Sequence, residues 1–129
     1  MIMKTIIKDS TYPKLDKSLC TAINTGVKKL EKRLNTYFQH GQKFESIEMD
    51  DKLIHDAYIK NGKRFFLYKC RINHISLRLL YTFEDDDLVI VSHCMKKNSR
   101  YEYFDYFESM CEQYMTNFHN DKDERMIVQ

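Results

Sequence analysis

KLIHDAYIKNGKRFFLYKCRINHISLRLLYTFEDDDLVIVSHCMKK, residues 52–97, holds three chain reversals between runs rich in β-branched and aromatic residues. Asn61-Gly62 is the strongest of them, because both central positions of such a two-residue hairpin loop need positive φ, which Asn and Gly adopt at least cost. Asn73-His74 and the acidic run Glu84 to Asp87 supply the other two. The spacing predicts a four-strand antiparallel meander.

Two-residue loops also fix which residues face each other. Lys60 is expected opposite Lys63 and Ile54 opposite Lys69, while the next turn sets Lys69 opposite Arg78. The acidic turn sets Phe83 opposite Leu88 and, by continuation along the strands, Arg78 opposite His93. Side chains alternate across a strand. One face of the sheet is then a core face, with Phe66, Tyr68, Cys70, Ile72, Ile75, Leu77, Leu79, Tyr81, Phe83, Leu88, Ile90 and Cys94. The other is apolar at one end, with Phe65, Leu67, Leu80, Val89 and Val91, and cationic at the other, with Lys69, Arg71, Arg78, His93 and Lys97.

Working outward, the run Met3 to Ile7 reads as a short strand, ended by Asp9, Ser10 and Pro13. A helix should follow, capped by Asp16 or Ser18, with Leu19, Ile23, Val27, Leu30 and Leu34 at helical spacing and a stop at Gly41. Lys28, Lys29, Lys32 and Arg33 fall on or beside its outer face and read as solvated charge. After the meander, Ser99-Arg100-Tyr101-Glu102 has capping-box spacing. It opens a second helix, whose Phe104, Phe107, Cys111, Tyr114, Met115 and Phe118 form one stripe. The expected fold class is α+β, a small antiparallel meander with the N-terminal helix on one face and a C-terminal helix. The chain should be a single domain over residues 1–129, with about 120–129 a flexible acidic tail.

Composition agrees with one packed domain: 129 residues, 43% hydrophobic and 31% charged, with nine Tyr and eight Phe but only three Gly and one Pro. No apolar run is long enough for a membrane helix, and the start MIMKTIIKDS is too short and polar for a signal peptide, so a cytoplasmic protein without membrane contact is expected. The four cysteines lie far apart with no zinc-type spacing, and they read as small buried apolar residues. Net charge is +2, but residues 1–101 hold nineteen Lys and Arg against twelve Asp and Glu, and residues 102–129 hold two against seven. A body at +7 with an end at −5 points to an anionic partner for the body.

On the expected register, Lys69, Arg78 and His93 stand on neighbouring strands roughly 5 Å apart, with Asp56 the only acid on that face. Phosphate suits them, since Arg offers paired donors and Lys a point charge. Cleavage of RNA by its own 2′-hydroxyl needs a base, an acid and cations for the charged phosphorane, and no metal or other cofactor. His93 can act as base or acid because an imidazole titrates near neutrality. Arg78 with Lys69 or Lys97 can supply the positive charge. Arg71, Lys96, Arg100 and Tyr101 are candidate RNA contacts, the tyrosine by stacking on a base. His40, His55, His74 and His119 have no comparable setting.

Residues 77–97, LRLLYTFEDDDLVIVSHCMKK, resemble the RelE/ParE superfamily of toxins, particularly the HigB-like and phage-derived branch. Arg78-Leu79-Leu80-Tyr81 corresponds to that family's Arg-hydrophobic-Tyr strand, followed by an acidic turn, a strand ending at His93 and the pair Lys96-Lys97. The resemblance implies a RelE-like fold and an mRNA interferase, an endoribonuclease of a toxin-antitoxin system. It would act on mRNA or at the ribosome and be neutralised by a cognate antitoxin. Arg78 and Lys96-Lys97 would carry the basic site, with His93 beside it. The alternative is a non-enzymatic, protein-binding inhibitor on the same scaffold, as with ParE-like gyrase poisons, or a phage-type regulator.

Overall fold

All three reversals form as two-residue loops in the computed structural model, which describes residues 4–39, 55–95 and 102–117. Asn61 and Gly62 have φ of 51° and 79°, Asn73 and His74 of 48° and 70°, and Asp85 of 55°. These left-handed conformations are the ones Gly and Asn tolerate best. The loops join β2 (His55–Lys60), β3 (Lys63–Ile72), β4 (Ile75–Glu84) and β5 (Asp87–Met95) into an antiparallel meander. Lys60 faces Lys63, Lys69 faces Arg78 and Phe83 faces Leu88, as the turns dictate.

The register then departs from the expected one at two places. Between β4 and β5, Tyr81 faces Ile90 but Leu80 faces Ser92, so Val91 is an extra residue without a cross-strand partner. Such a bulge reverses the faces of everything beyond it. His93 therefore lies opposite Leu79, and Arg78 opposite Cys94; the expected pairing of Arg78 with His93 does not form. A second shift falls between Asp56 and Tyr58; Ile54, expected opposite Lys69, lies outside the described residues.

The sheet also has a fifth strand. β1 (Thr5–Ile7) runs parallel to β5, pairing Thr5 with Leu88 and Ile7 with Ile90, and giving the order β1-β5-β4-β3-β2. The sheet is thus mixed rather than wholly antiparallel. All three β1 residues are buried, as a parallel strand covered on both faces requires.

From β1 the chain passes through a short 3-10 turn at Tyr12–Lys14 into α1 (Lys17–Gln39). Asp16 rather than Ser18 caps the helix: its carboxylate accepts the Leu19 N–H at 2.8 Å and satisfies a first-turn donor. Ile23, Val27, Leu30 and Leu34 pack on Phe66, Tyr68, Leu77, Leu79, Tyr81, Leu88 and Ile90, forming the expected core face. Gly26 lets the helix approach closely, since a Cβ there would stand 3.0 Å from Leu77 Cδ2 and 3.2 Å from Cys70 Sγ. The stop expected at Gly41 lies outside the described residues.

α2 (Glu102–Asn117) covers the opposite face, where Phe107, Cys111 and Tyr114 pack on Phe65, Leu67, Leu80, Val89 and Val91. Polar ties hold it along its length. Tyr58 donates to the Phe104 carbonyl at 2.7 Å, Tyr114 to Glu84 at 2.9 Å, and Lys60 pairs with Glu108 at 2.8 Å. Ser99, Phe118 and the acidic tail lie outside the described residues. Among the described residues, no helix is long and apolar enough to cross a membrane. Among the described residues the architecture is α+β, two α-helices on the two faces of a five-strand mixed sheet.

Candidate functional site

The Val91 bulge separates the residues expected to converge. β5 directs Val91, Ser92 and Cys94 toward α2, where Ser92 donates to the Tyr106 hydroxyl at 3.1 Å and Cys94, expected on the face covered by α1, instead packs on the α2 core. His93 is left on the α1 side, opposite Leu79 of the α1 core. Arg78 stays on the α2 side, between its cross-strand neighbours Lys69 and Cys94. The structure thus brings Lys69 and Arg78 together and places His93 on the other face. Lys97, Lys96, Arg100 and Tyr101 lie outside the described residues.

His93 is held by Asp9, a residue the sequence marks only as part of a turn. Its Nδ1 makes a short contact with one Asp9 carboxylate oxygen, and both side chains are largely buried. The other oxygen accepts the Thr11 N–H at 2.9 Å and the Thr11 hydroxyl at 2.6 Å. Burial pushes the Asp9 carboxyl up, but the hydrogen bonds from His93 and Thr11, with the His93 charge, outweigh it and hold it below its ordinary value. Because an ionised carboxylate only accepts, Nδ1 carries the proton in this contact. The pair fixes both the tautomer and the orientation of the ring.

Arg78 is half-buried, and its guanidinium donates to the Leu77 carbonyl at 3.2 Å. Its charge reaches two thiols. Burial drives Cys94 up to about 11 despite the opposing pull of Arg78. Cys70 is also raised by burial, against Lys29 and Arg78. Neither thiol is an activated nucleophile. Among the described residues, no cluster of His, Cys, Asp and Glu could hold a metal ion.

Among the described residues, a denser group of cations lies elsewhere. Beyond Leu67, where its described pairing with β2 ends, β3 borders a cavity of about 590 Å³ whose other wall is the second half of α1. Lys29, Lys32 and Arg33 line it from the helix, Lys69 and Arg71 from the strand, and buried Tyr68 from within. All five cationic side chains are exposed. The sequence marks the three helical cations as solvated charge. Their i, i+3, i+4 spacing is the available signal, since it puts all three on one helix face. What faces that side depends on how α1 lies across the sheet, which spacing alone does not give.

Comparison with known proteins found no matching family model, no matching curated protein and no matching solved structure.

Proposed function

We propose that the protein is an RNA-directed toxin of the RelE/ParE type, working in the cytoplasm on mRNA or at the ribosome and neutralised by a cognate antitoxin. The observation that carries this reading is the direct cross-strand juxtaposition of Lys69 and Arg78, with Arg71 two residues further along β3. Cations from adjoining strands concentrate positive potential at one spot, and a phosphodiester is the ligand whose charge and acceptor geometry match Arg beside Lys.

A second reading, inhibition by binding alone, is favoured by one specific observation. His93, the expected base, is engaged by Asp9 on the face opposite Arg78, so base and cations do not flank one phosphate. Induced expression of wild type, Arg78→Ala and His93→Ala in bacteria, followed by mapping of mRNA 5′ ends, tests both. New 5′ ends that vanish in Arg78→Ala support an mRNA interferase. Growth arrest with intact transcripts supports the non-enzymatic inhibitor. No arrest and no new ends with wild type rejects the toxin reading.

A further inference from the structure

We propose that the groove between α1 and β3 is a binding track for the phosphodiester backbone of a single nucleic-acid strand, RNA if the toxin reading on which this rests is right. Two walls carry the charge. Lys29, Lys32 and Arg33 share one face of α1; Lys69 and Arg71 leave β3 on the side of Arg78, away from α1, and border the groove along the strand edge where the described pairing with β2 has ended. Glu31, the one carboxylate within α1, accepts a hydrogen bond from Thr5 of β1 at 2.8 Å. Since β1 and β3 are separated by β5 and β4, that carboxylate is turned to the far flank of the helix.

The shape selects the ligand. Reading a duplex requires an element that projects into its grooves, whereas this site is concave, with cations on the helix wall and along the strand edge. Its volume, about 590 Å³, is within the roughly 300–1,000 Å³ of small-ligand pockets and accommodates a short length of one strand. A positively charged groove that follows the backbone is how single strands are held without reading their sequence. Neither His93 nor Asp9 lines it, so binding here is separable from any chemistry at that pair.

The test is fluorescence anisotropy on the purified full chain with a labelled single-stranded RNA, the same sequence as DNA, and an RNA duplex, each at several salt concentrations. Lys29→Gln/Lys32→Gln and Lys69→Gln/Arg71→Gln should each weaken single-strand binding about tenfold or more. Each should also make the salt dependence shallower, by about one unit of slope for every phosphate that is no longer neutralised. Lys28→Gln, an exposed neighbour that does not line the groove, should change affinity less than about twofold. Thermal unfolding of each variant confirms that its fold is retained.

Wild-type affinity in Lys29→Gln/Lys32→Gln, even beside a loss in Lys69→Gln/Arg71→Gln, which also strips cations from the Arg78 neighbourhood, overturns the proposal, as does an equal loss in Lys28→Gln or equal affinity for the duplex. Comparable binding of RNA and DNA that disappears in both groove variants supports a backbone track. If the protein binds single strands through the groove but arrests no growth, the toxin reading fails and the track stands. If it arrests growth while Lys29→Gln/Lys32→Gln binds as wild type does, the track fails and the toxin reading stands.

Discussion

The imidazole of His93 in β5 meets the carboxylate of Asp9, 84 residues earlier in the chain, and so ties the exit of β1 to the strand it pairs with. The contact is largely buried and charge-assisted, a setting in which hydrogen bonds are worth more than the usual ~1 kcal/mol. Asp9→Ala should therefore lower the unfolding free energy by about 2–4 kcal/mol, and His93→Ala should cost at least as much, because it leaves a buried carboxylate without its main partner. Urea denaturation with an unchanged m-value checks this; a loss below about 1 kcal/mol would mean the pair contributes little.

Acid should dismantle the same tie. The folded-state value for Asp9 lies below its ordinary 3.8, so the unfolded chain takes up the proton first as pH falls. The stabilisation is present above pH 3.8 and is lost as the pH drops through the lower folded value. Unfolding free energies of wild type and Asp9→Asn, measured from pH 7 downward, should converge below about pH 4. Parallel curves throughout that range would contradict the assignment.

Thiol chemistry gives a third expectation. With Cys94 held up to about 11 and Cys111 up to about 12, both mainly by burial, on the order of a thousandth or less of either is thiolate at pH 8. Neither should react with iodoacetamide in the native protein over minutes, and both should react once urea unfolds it. Rapid native labelling, located by peptide mass spectrometry, is the contrary result.

Gly26 is a position where helix propensity and packing oppose each other. Ala gains about 1 kcal/mol of propensity in a helix interior. Its methyl meets Leu77 Cδ2 at 3.0 Å and Cys70 Sγ at 3.2 Å, both side-chain atoms able to yield. Gly26→Ala should fall within about 1 kcal/mol of wild type, whereas Gly26→Leu should lose about 1–3 kcal/mol by overpacking. Thermal unfolding of the two variants decides it, and a stabilised Gly26→Leu would show that α1 can move off the sheet.

The α2 core should outweigh the helix's surface pairs. Phe107 is fully buried, and Phe107→Ala should cost about 3–5 kcal/mol. Lys60→Ala removes pairs with two exposed glutamates, which solvent screens, and should leave the unfolding free energy nearly unchanged. Comparable losses in the two variants would contradict this ranking.

The meander is legible because its turns advertise themselves: positive φ at Asn61, Gly62 and Asn73 follows from residue type. The two-sided core is legible from alternation in β3 and β4 and from helical spacing in α1 and α2. β1 has three residues, too few to show a period, so its parallel seat beside β5 cannot be read from the sequence. The bulge is hidden for a different reason. Val91-Ser92 contains no Gly or other special residue, and the extra position is set by Ser92 meeting Tyr106 and Val91 filling the α2 core, contacts that exist only after folding. The candidate site inherits that blindness: Lys69 and Arg78 pair as the turn between them dictates, whereas His93 lies beyond the bulge and falls on the face opposite the expected one.

The odd residue at Val91 makes strand length, more than residue type, decide which side of this domain carries the imidazole. Removing Val91 would merely smooth the strand, with Ser92 still opposite Leu80 and His93 still beside Asp9. One residue inserted between Ser92 and His93 would instead carry the imidazole across to stand opposite Arg78, with the turns and the strand order intact. Evolution on this scaffold thus has a single-codon route between an anchored imidazole and one poised among cations.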